Sequence, residues 1–235
     1  MYSDVFCKVY NELGWNYYPE VFGQQLLQWL RRHEAAPGTS LDLACGTGIL
    51  CEILHKSGIR ASGMDFSSGM IAIARQGSPE IRYDVADMVT YRPQERFDLV
   101  TCTGDALNHI GSFLDVEQIF RNVHSYLNPG GYFVFDILNE HEVSTGEPFE
   151  MDFSETMRVW FQMTRPGPMQ VNLKIRVFEN GSLSFEENIR EAIHDPAAVC
   201  QALEACGFEV IKCADRLLGD SNPGTTWFVI ARRKL

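Results

Sequence analysis

At 235 residues, 45% hydrophobic and 22% charged, the chain has the size and composition of one large α/β domain, or of such a domain with an inserted cap. Its 31 acidic against 20 basic side chains give a formal net charge of −11. That balance, with no run of Lys or Arg, offers no electrostatic footprint for nucleic acid or for an anionic membrane.

Met1 to Tyr10 carries Asp4 and Lys8 and lacks the basic-then-apolar order of a signal peptide. Residues 19–33 place Val21, Phe22, Leu26, Leu27, Trp29 and Leu30 at helical spacing, and Pro37-Gly38 ends that helix. A strand–helix alternation follows. Strands are expected over 41–44, 61–64, 81–85, 97–102 and 132–138, and helices over 49–56, 68–75 and 116–127. Gly58 closes the first of these helices, and Ser67 or Ser68 caps the second. Such alternation predicts a parallel sheet with helices on both faces.

The period then changes to two. Val171, Leu173, Ile175 and Val177 alternate with polar partners, Asn180-Gly181 interrupts, and Leu183 and Phe185 resume the alternation. Asn-Gly between alternating segments signals a tight hairpin, because its turn needs positive φ at both central residues. Pro166-Gly167-Pro168 marks another turn. Residues 140–193 are therefore expected to form an inserted antiparallel β lid, and 1–139 with 194–235 a Rossmann-like domain. A helix over 196–206, stopped by Gly207, and two closing strands over 208–213 and 227–231 complete the chain. The run 132–138 is interrupted by Asp136 and is too short to span a bilayer. Seven cysteines form no C-x-x-C pair, which predicts reduced thiols in a cytoplasmic protein and no metal site.

The chemistry concentrates in Leu41-Asp42-Leu43-Ala44-Cys45-Gly46-Thr47-Gly48. A strand runs into a glycine turn and then a helix, whose first N–H groups and positive dipole end attract a polar ligand. Nineteen residues past Gly46, Asp65 ends the second strand, where a carboxylate accepts hydrogen bonds from both ribose hydroxyls of an adenosine-type ligand. Asp87 follows the third strand, near the base. Against a dinucleotide stand Cys51, at the third glycine of G-x-G-x-x-G, and Asp42, which precedes the loop.

These stretches resemble the class I S-adenosylmethionine-dependent methyltransferases. Further matches are Gly63-Met64-Asp65-Phe66-Ser67-Ser68-Gly69-Met70, Asp87-Met88, Phe97-Asp98-Leu99-Val100 and Leu127-Asn128-Pro129-Gly130-Gly131. The resemblance implies a seven-stranded, mostly parallel sheet whose last strand is antiparallel, with S-adenosylmethionine as cofactor and S-adenosylhomocysteine as product. It implies that Gly46 and the Ala44 backbone face the methionine part, that Gly48 is a further cofactor-binding residue of the same loop, and that Asp65 faces the ribose. Phe66 and Met70 would flank the ring, Asp87 and Met88 would face adenine, and Cys102 would line the floor. Similarity to glycine and sugar-amine N-methyltransferases implies that Tyr10 and Tyr18 close over the cofactor.

The acceptor is expected to be a small molecule, methylated on nitrogen or oxygen, on a monomer or homodimer. Thr103-Gly104-Asp105 stands where DNA and protein amide methyltransferases carry an Asn/Asp-Pro-Pro-Tyr/Phe run, and no Pro-Cys dipeptide marks a cytosine C5 nucleophile. His109 is the candidate base or acceptor-orienting group, with His194 and His141 behind it. Asn108, Phe149 and Trp160 are candidate substrate contacts; each aromatic is equally suited to packing the insertion's own core. A cofactor-binding but non-catalytic partner protein and a dinucleotide oxidoreductase remain the alternative classes.

Overall fold

The computed structural model describes residues 3–139, 145–218 and 226–235. Its centre is a seven-stranded sheet in the order β10-β11-β5-β4-β1-β2-β3. β1 (Thr39–Leu43), β2 (Arg60–Asp65), β3 (Arg82–Val85), β4 (Phe97–Cys102) and β5 (Leu127–Leu138) run parallel. β11 (Thr226–Arg233) pairs antiparallel with both β5 and β10 (Phe208–Ala214). The expected sheet with an antiparallel last strand is therefore present.

Ser40, Leu41, Asp42 and Leu43 of β1 are all buried, as a strand covered on both faces requires. One core layer holds α2 (Tyr17–Arg32), α3 (Ile49–Lys56) and α4 (Ser68–Gly77) against the sheet through Phe22, Leu26, Leu50, Leu54 and Ile71. The other holds α5 (Phe113–Tyr126) and α6 (Pro196–Ala205) through Ile119, Phe120, Val199 and Leu203. Because β4 and β2 flank β1 on opposite sides, the chain order reverses at β1 and opens a crevice beyond its carboxyl end.

The period-two region forms a second sheet of four antiparallel strands. These are β6 (Phe149–Asp152), β7 (Met157–Gly167), β8 (Gln170–Glu179) and β9 (Ser182–Ala192). Asn180 and Gly181 both take positive φ, 49° and 78°, so the β8–β9 hairpin turns where the sequence predicts. One face buries Val159, Phe161, Ile175, Val177 and Ile189 against Phe6 and Leu13. Phe6 belongs to α1 (Asp4–Val9), a short helix that the sequence alone does not announce, capped by Ser3. Residues 140–144, with His141, lie outside the described residues.

Candidate functional site

The loop after β1 is built from backbone that side chains resist. Ala44 itself sits at φ 54°, a left-handed conformation costing an L-residue roughly 1–2 kcal/mol. Gly48 takes φ 84°, and a Cβ there would stand 2.6 Å from the Tyr83 hydroxyl. Gly46 differs: at φ 54° its missing Cβ would meet nothing within 4 Å, so the loop offers an open cradle. Cys51 is accommodated because Gly63 on β2 supplies the close approach; a Cβ at Gly63 would lie 2.9 Å from the Cys51 sulfur.

Asp65 closes this cradle. Its Oδ2 accepts from Gly46 N–H at 3.0 Å and its Oδ1 from Ser67 N–H at 2.7 Å. Each oxygen keeps a lone pair for a further donor. Burial pushes the carboxyl above its ordinary value, and the N–H bonds from Ser67 and Gly46 hold it back. Ser67 also caps α4 by accepting from Met70 N–H. Phe66 lies beside this site, 54% exposed, while Met70 is buried behind it. Asp87 is exposed, accepts from Val89 N–H at 2.9 Å and so fixes the turn after β3, where Met88 packs on the core.

A cleft of about 540 Å³ opens in front of the loop, within the range of small-ligand sites. Tyr10, Trp15, Tyr17 and Tyr18 wall one side, Ala44, Gly46, Thr47 and Asp105 lie on the sheet side, and Met163, Leu173, Ile189 and Glu191 come from the second sheet. Thr47 donates to Asn11 Oδ1 at 3.0 Å, which fastens the N-terminal segment to the loop.

Carboxyls gather in and beneath the cleft, Asp42, Asp105 and Glu191 in its lining and Asp136 below. Asp42 accepts from the Thr101 hydroxyl at 2.6 Å, and burial pushes it up to about 7. Asp136 accepts from Tyr18 O–H at 2.6 Å, Gly104 N–H at 3.0 Å and Asp105 N–H at 2.7 Å; burial nonetheless raises it to about 6. Asp105, at φ 57°, has a buried Oδ1 with no hydrogen-bond partner, and burial with the charges of Asp136 and Glu191 holds its carboxyl well above the ordinary range. Burial lifts Glu191 to about 7.

Of the residues expected from the sequence, Tyr10, Tyr18, Ala44 and Gly46 line the cleft, and Asp65 touches it through Gly46. Cys102 is fully buried in the core beneath and does not line it. His109 and Asn108 border a second cavity of about 780 Å³ on the far side of the 3-10 turn Ala106–His109. Asn108 spends both ends of its amide on backbone, donating to Ala192 O at 2.7 Å and accepting from Leu138 N–H at 3.1 Å. His194 is buried beside Leu107 O at 3.2 Å. Trp160 alternates onto the opposite face of β7 from Met163 and stacks under Arg176, 4.8 Å from its ring centroid. Phe149 is 56% exposed and stacks on Phe161 at 5.1 Å. Sequence reasoning did not single out Trp15, Asp136 or Glu191 as site residues. Glu191 borders both cavities, and its Oε1 lies 3.9 Å from His109 Nε2.

An open α/β sheet with an acid-closed glycine cradle at its carboxyl edge defines a protein that binds an adenosine-type cofactor. A family model described as methyltransferase domain matches residues 15–212, and the chain belongs to that family. The Bacillus subtilis (strain 168) protein YqeM, named as a candidate methyltransferase, is 25% identical over 217 residues, covering 87% of this chain and 85% of its own. An S-adenosylmethionine-dependent methyltransferase of Clostridium acetobutylicum ATCC 824 superposes with a TM-score of 0.83 at 20% identity, over 97% of this chain and 98% of that one. CalS10 of Micromonospora echinaspora, an amino pentose methyltransferase solved with S-adenosylmethionine bound, gives 0.78 at 21% identity, over 100% and 98%.

Proposed function

We propose that this chain transfers a methyl group from S-adenosylmethionine to a nitrogen or oxygen of a small molecule. The observation that carries the reading is the Asp65–Gly46 bond across an otherwise open cradle, at the mouth of a cleft large enough for a small ligand. S-Adenosylmethionine, when bound, supplies an electrophilic methyl on a sulfonium. Asp65 holds the ribose, the backbone of Ala44 and Gly46 holds the methionine part, Phe66 and Met70 flank the ring, and Asp87 and Met88 face the adenine. Tyr10, Trp15 and Tyr18 exclude water from the opposite side. Alignment of acceptor and methyl accounts for much of the rate, since effective molarity contributes roughly 7–11 kcal/mol in well-oriented reactions.

The second sheet acts as the lid over the acceptor, with His109 orienting the acceptor from the neighbouring cavity. Burial holds the His109 imidazole below its ordinary pKa, which keeps it neutral near pH 7 and suits it to orienting an acceptor by hydrogen bonding. The seven cysteines are all free thiols, in keeping with a reducing cytoplasm, and no helix among the described residues is long and apolar enough to cross a membrane.

Calorimetric titration with S-adenosylmethionine, S-adenosylhomocysteine and NADH tests the reading. Micromolar binding of the first two without the third is expected. Binding of NADH alone overturns it.

A further inference from the structure

The residues lining the cleft include three carboxyls, on Asp42, Asp105 and Glu191, and no Lys, Arg or His. Two of these acids belong with the cofactor loop and the floor. Glu191 does not: it projects from β9, on the opposite wall, among Met163, Leu173 and Ile189. Its side chain is 13% exposed, and its sole basic neighbour within 4.0 Å among the described residues is His109, at 3.9 Å on the far side of the wall. In the lining of the same cleft, Asp105 Oδ1 is buried without a hydrogen-bond donor. An apolar wall interrupted by one carboxyl, in a cleft whose other lining acid Asp105 feels the Glu191 charge and keeps an oxygen without a donor, is incomplete as protein structure. It is complete once a group with several N–H donors and a positive charge enters the cleft. The aromatic wall of Tyr10 and Trp15 suits the same charge.

We propose that Glu191 is the acceptor-binding and proton-accepting residue, and that the acceptor is a primary or secondary amine that arrives as its ammonium ion. The proposal rests on the methyltransferase reading above and adds the acceptor class. The ammonium N–H bond breaks and its proton passes to a Glu191 carboxylate oxygen, leaving a neutral nitrogen with a free lone pair. That lone pair forms the new N–C bond to the methyl group. The S–C bond breaks, its electron pair stays on sulfur, and the positive charge moves from sulfur to the methylated nitrogen. A carboxyl held near 7 by burial is matched to taking and releasing a proton at neutral pH. Glu191 also borders the larger second cavity, which gives the departing proton and the body of the acceptor a place to go.

The test uses pairs of probes that differ only in NH₂ against OH: 2-phenylethylamine with 2-phenylethanol, and glucosamine with glucose. Each is titrated into the S-adenosylhomocysteine complex of the wild type and of Glu191→Gln, and each is assayed for turnover with S-adenosylmethionine. Wild type is expected to prefer an amine to its alcohol in binding, and Glu191→Gln to lose that preference while holding S-adenosylhomocysteine within about twofold. Amine turnover in the variant falls by about 100-fold. A wild type that binds no amine, that prefers alcohols, or whose amine preference survives in Glu191→Gln overturns the proposal and leaves the methyltransferase reading standing. Failure of the wild type to bind S-adenosylhomocysteine at all instead removes the reading beneath it.

Discussion

Thr47 Oγ1 and Asn11 Oδ1 are 3.0 Å apart, so the residue next to the open Gly46 cradle is tied directly to the segment leaving α1. The same segment reaches two other parts of the molecule. Ser3 donates through its N–H and hydroxyl to Glu187 Oε2 on β9, at 3.1 and 2.6 Å, and Cys7 Sγ lies 3.4 Å from Ser67 Oγ at the start of α4. One short stretch of chain therefore joins the glycine loop, the start of α4 and the second sheet. Anything that loosens it opens the cleft on its aromatic side.

Asp65→Ala removes the acceptor for Gly46 N–H and Ser67 N–H together with the proposed ribose partner. Loss of charge-assisted bonds of this kind lowers S-adenosylmethionine affinity by roughly 1–3 kcal/mol. Calorimetry checks it against a circular-dichroism control for folding. Unchanged affinity would detach the end of β2 from the cofactor.

Gly48→Ala should destabilise the protein by roughly 1–3 kcal/mol, because the new Cβ carries φ 84° and meets the Tyr83 hydroxyl at 2.6 Å. Adding Tyr83→Phe removes the closest contact and is expected to restore part of the loss, leaving the backbone component and the contacts with Ala74 Cβ and the Tyr83 ring carbon, both at 3.0 Å. Urea denaturation of the single and double variants measures both. A double variant no more stable than Gly48→Ala would show that the hydroxyl contact adds nothing to the cost.

The elements around the cofactor were readable because each is local: strand, glycine turn and helix lie within about twenty residues, and Asp65 ends the next strand. Tertiary pairings were not readable. Gly63 makes room for Cys51 from a neighbouring strand, so the missing third glycine had a structural answer that no local pattern displays. β7 escaped because Trp160, an aromatic on the outward face, breaks the alternation of Val159, Phe161 and Met163. α1 escaped because six residues carry too little periodicity. Glu191 was hidden most thoroughly, since nothing near it in sequence reveals that β9 faces a cleft built from residues 10–19 and 42–50.

Asp42 gives a pH signature. Burial holds its folded-state carboxyl up to about 7, against an ordinary value of 3.8. Between those values the folded protein keeps a proton that the unfolded chain has released. Its stabilising contribution is therefore full below the lower value and is lost as pH rises through the upper one. Asp42→Asn keeps an oxygen for the Thr101 hydroxyl and cannot ionise. The stability of the variant relative to the wild type, both cofactor-free, should rise from about pH 4 to about pH 8. Taking the difference cancels the titrating groups that do not interact with Asp42, His109 among them, while Asp65 and Asp136, whose charges raise Asp42, add to the same rise. A flat difference would mean that Asp42 stays charged in the folded chain throughout.

Phe6→Ala separates closure of the cleft from folding of the sheet. Phe6 is fully buried and packs edge-on against Trp15 at 5.1 Å, Tyr10 at 5.8 Å and Phe185 at 6.3 Å. Truncating a buried Phe typically costs about 3–5 kcal/mol. Here that loss falls on a six-residue terminal helix, which cannot persist without its docking contacts. The N-terminal segment should therefore detach before the sheet unfolds. Amides of residues 3–16 are expected to exchange faster with deuterium while β1, β4 and β5 keep their protection. S-Adenosylmethionine affinity should fall by about tenfold, because Tyr10 and Trp15 leave the wall together. Uniform loss of protection across the sheet would make α1 part of the global folding unit, and an unchanged affinity would remove the aromatic wall from the cofactor site.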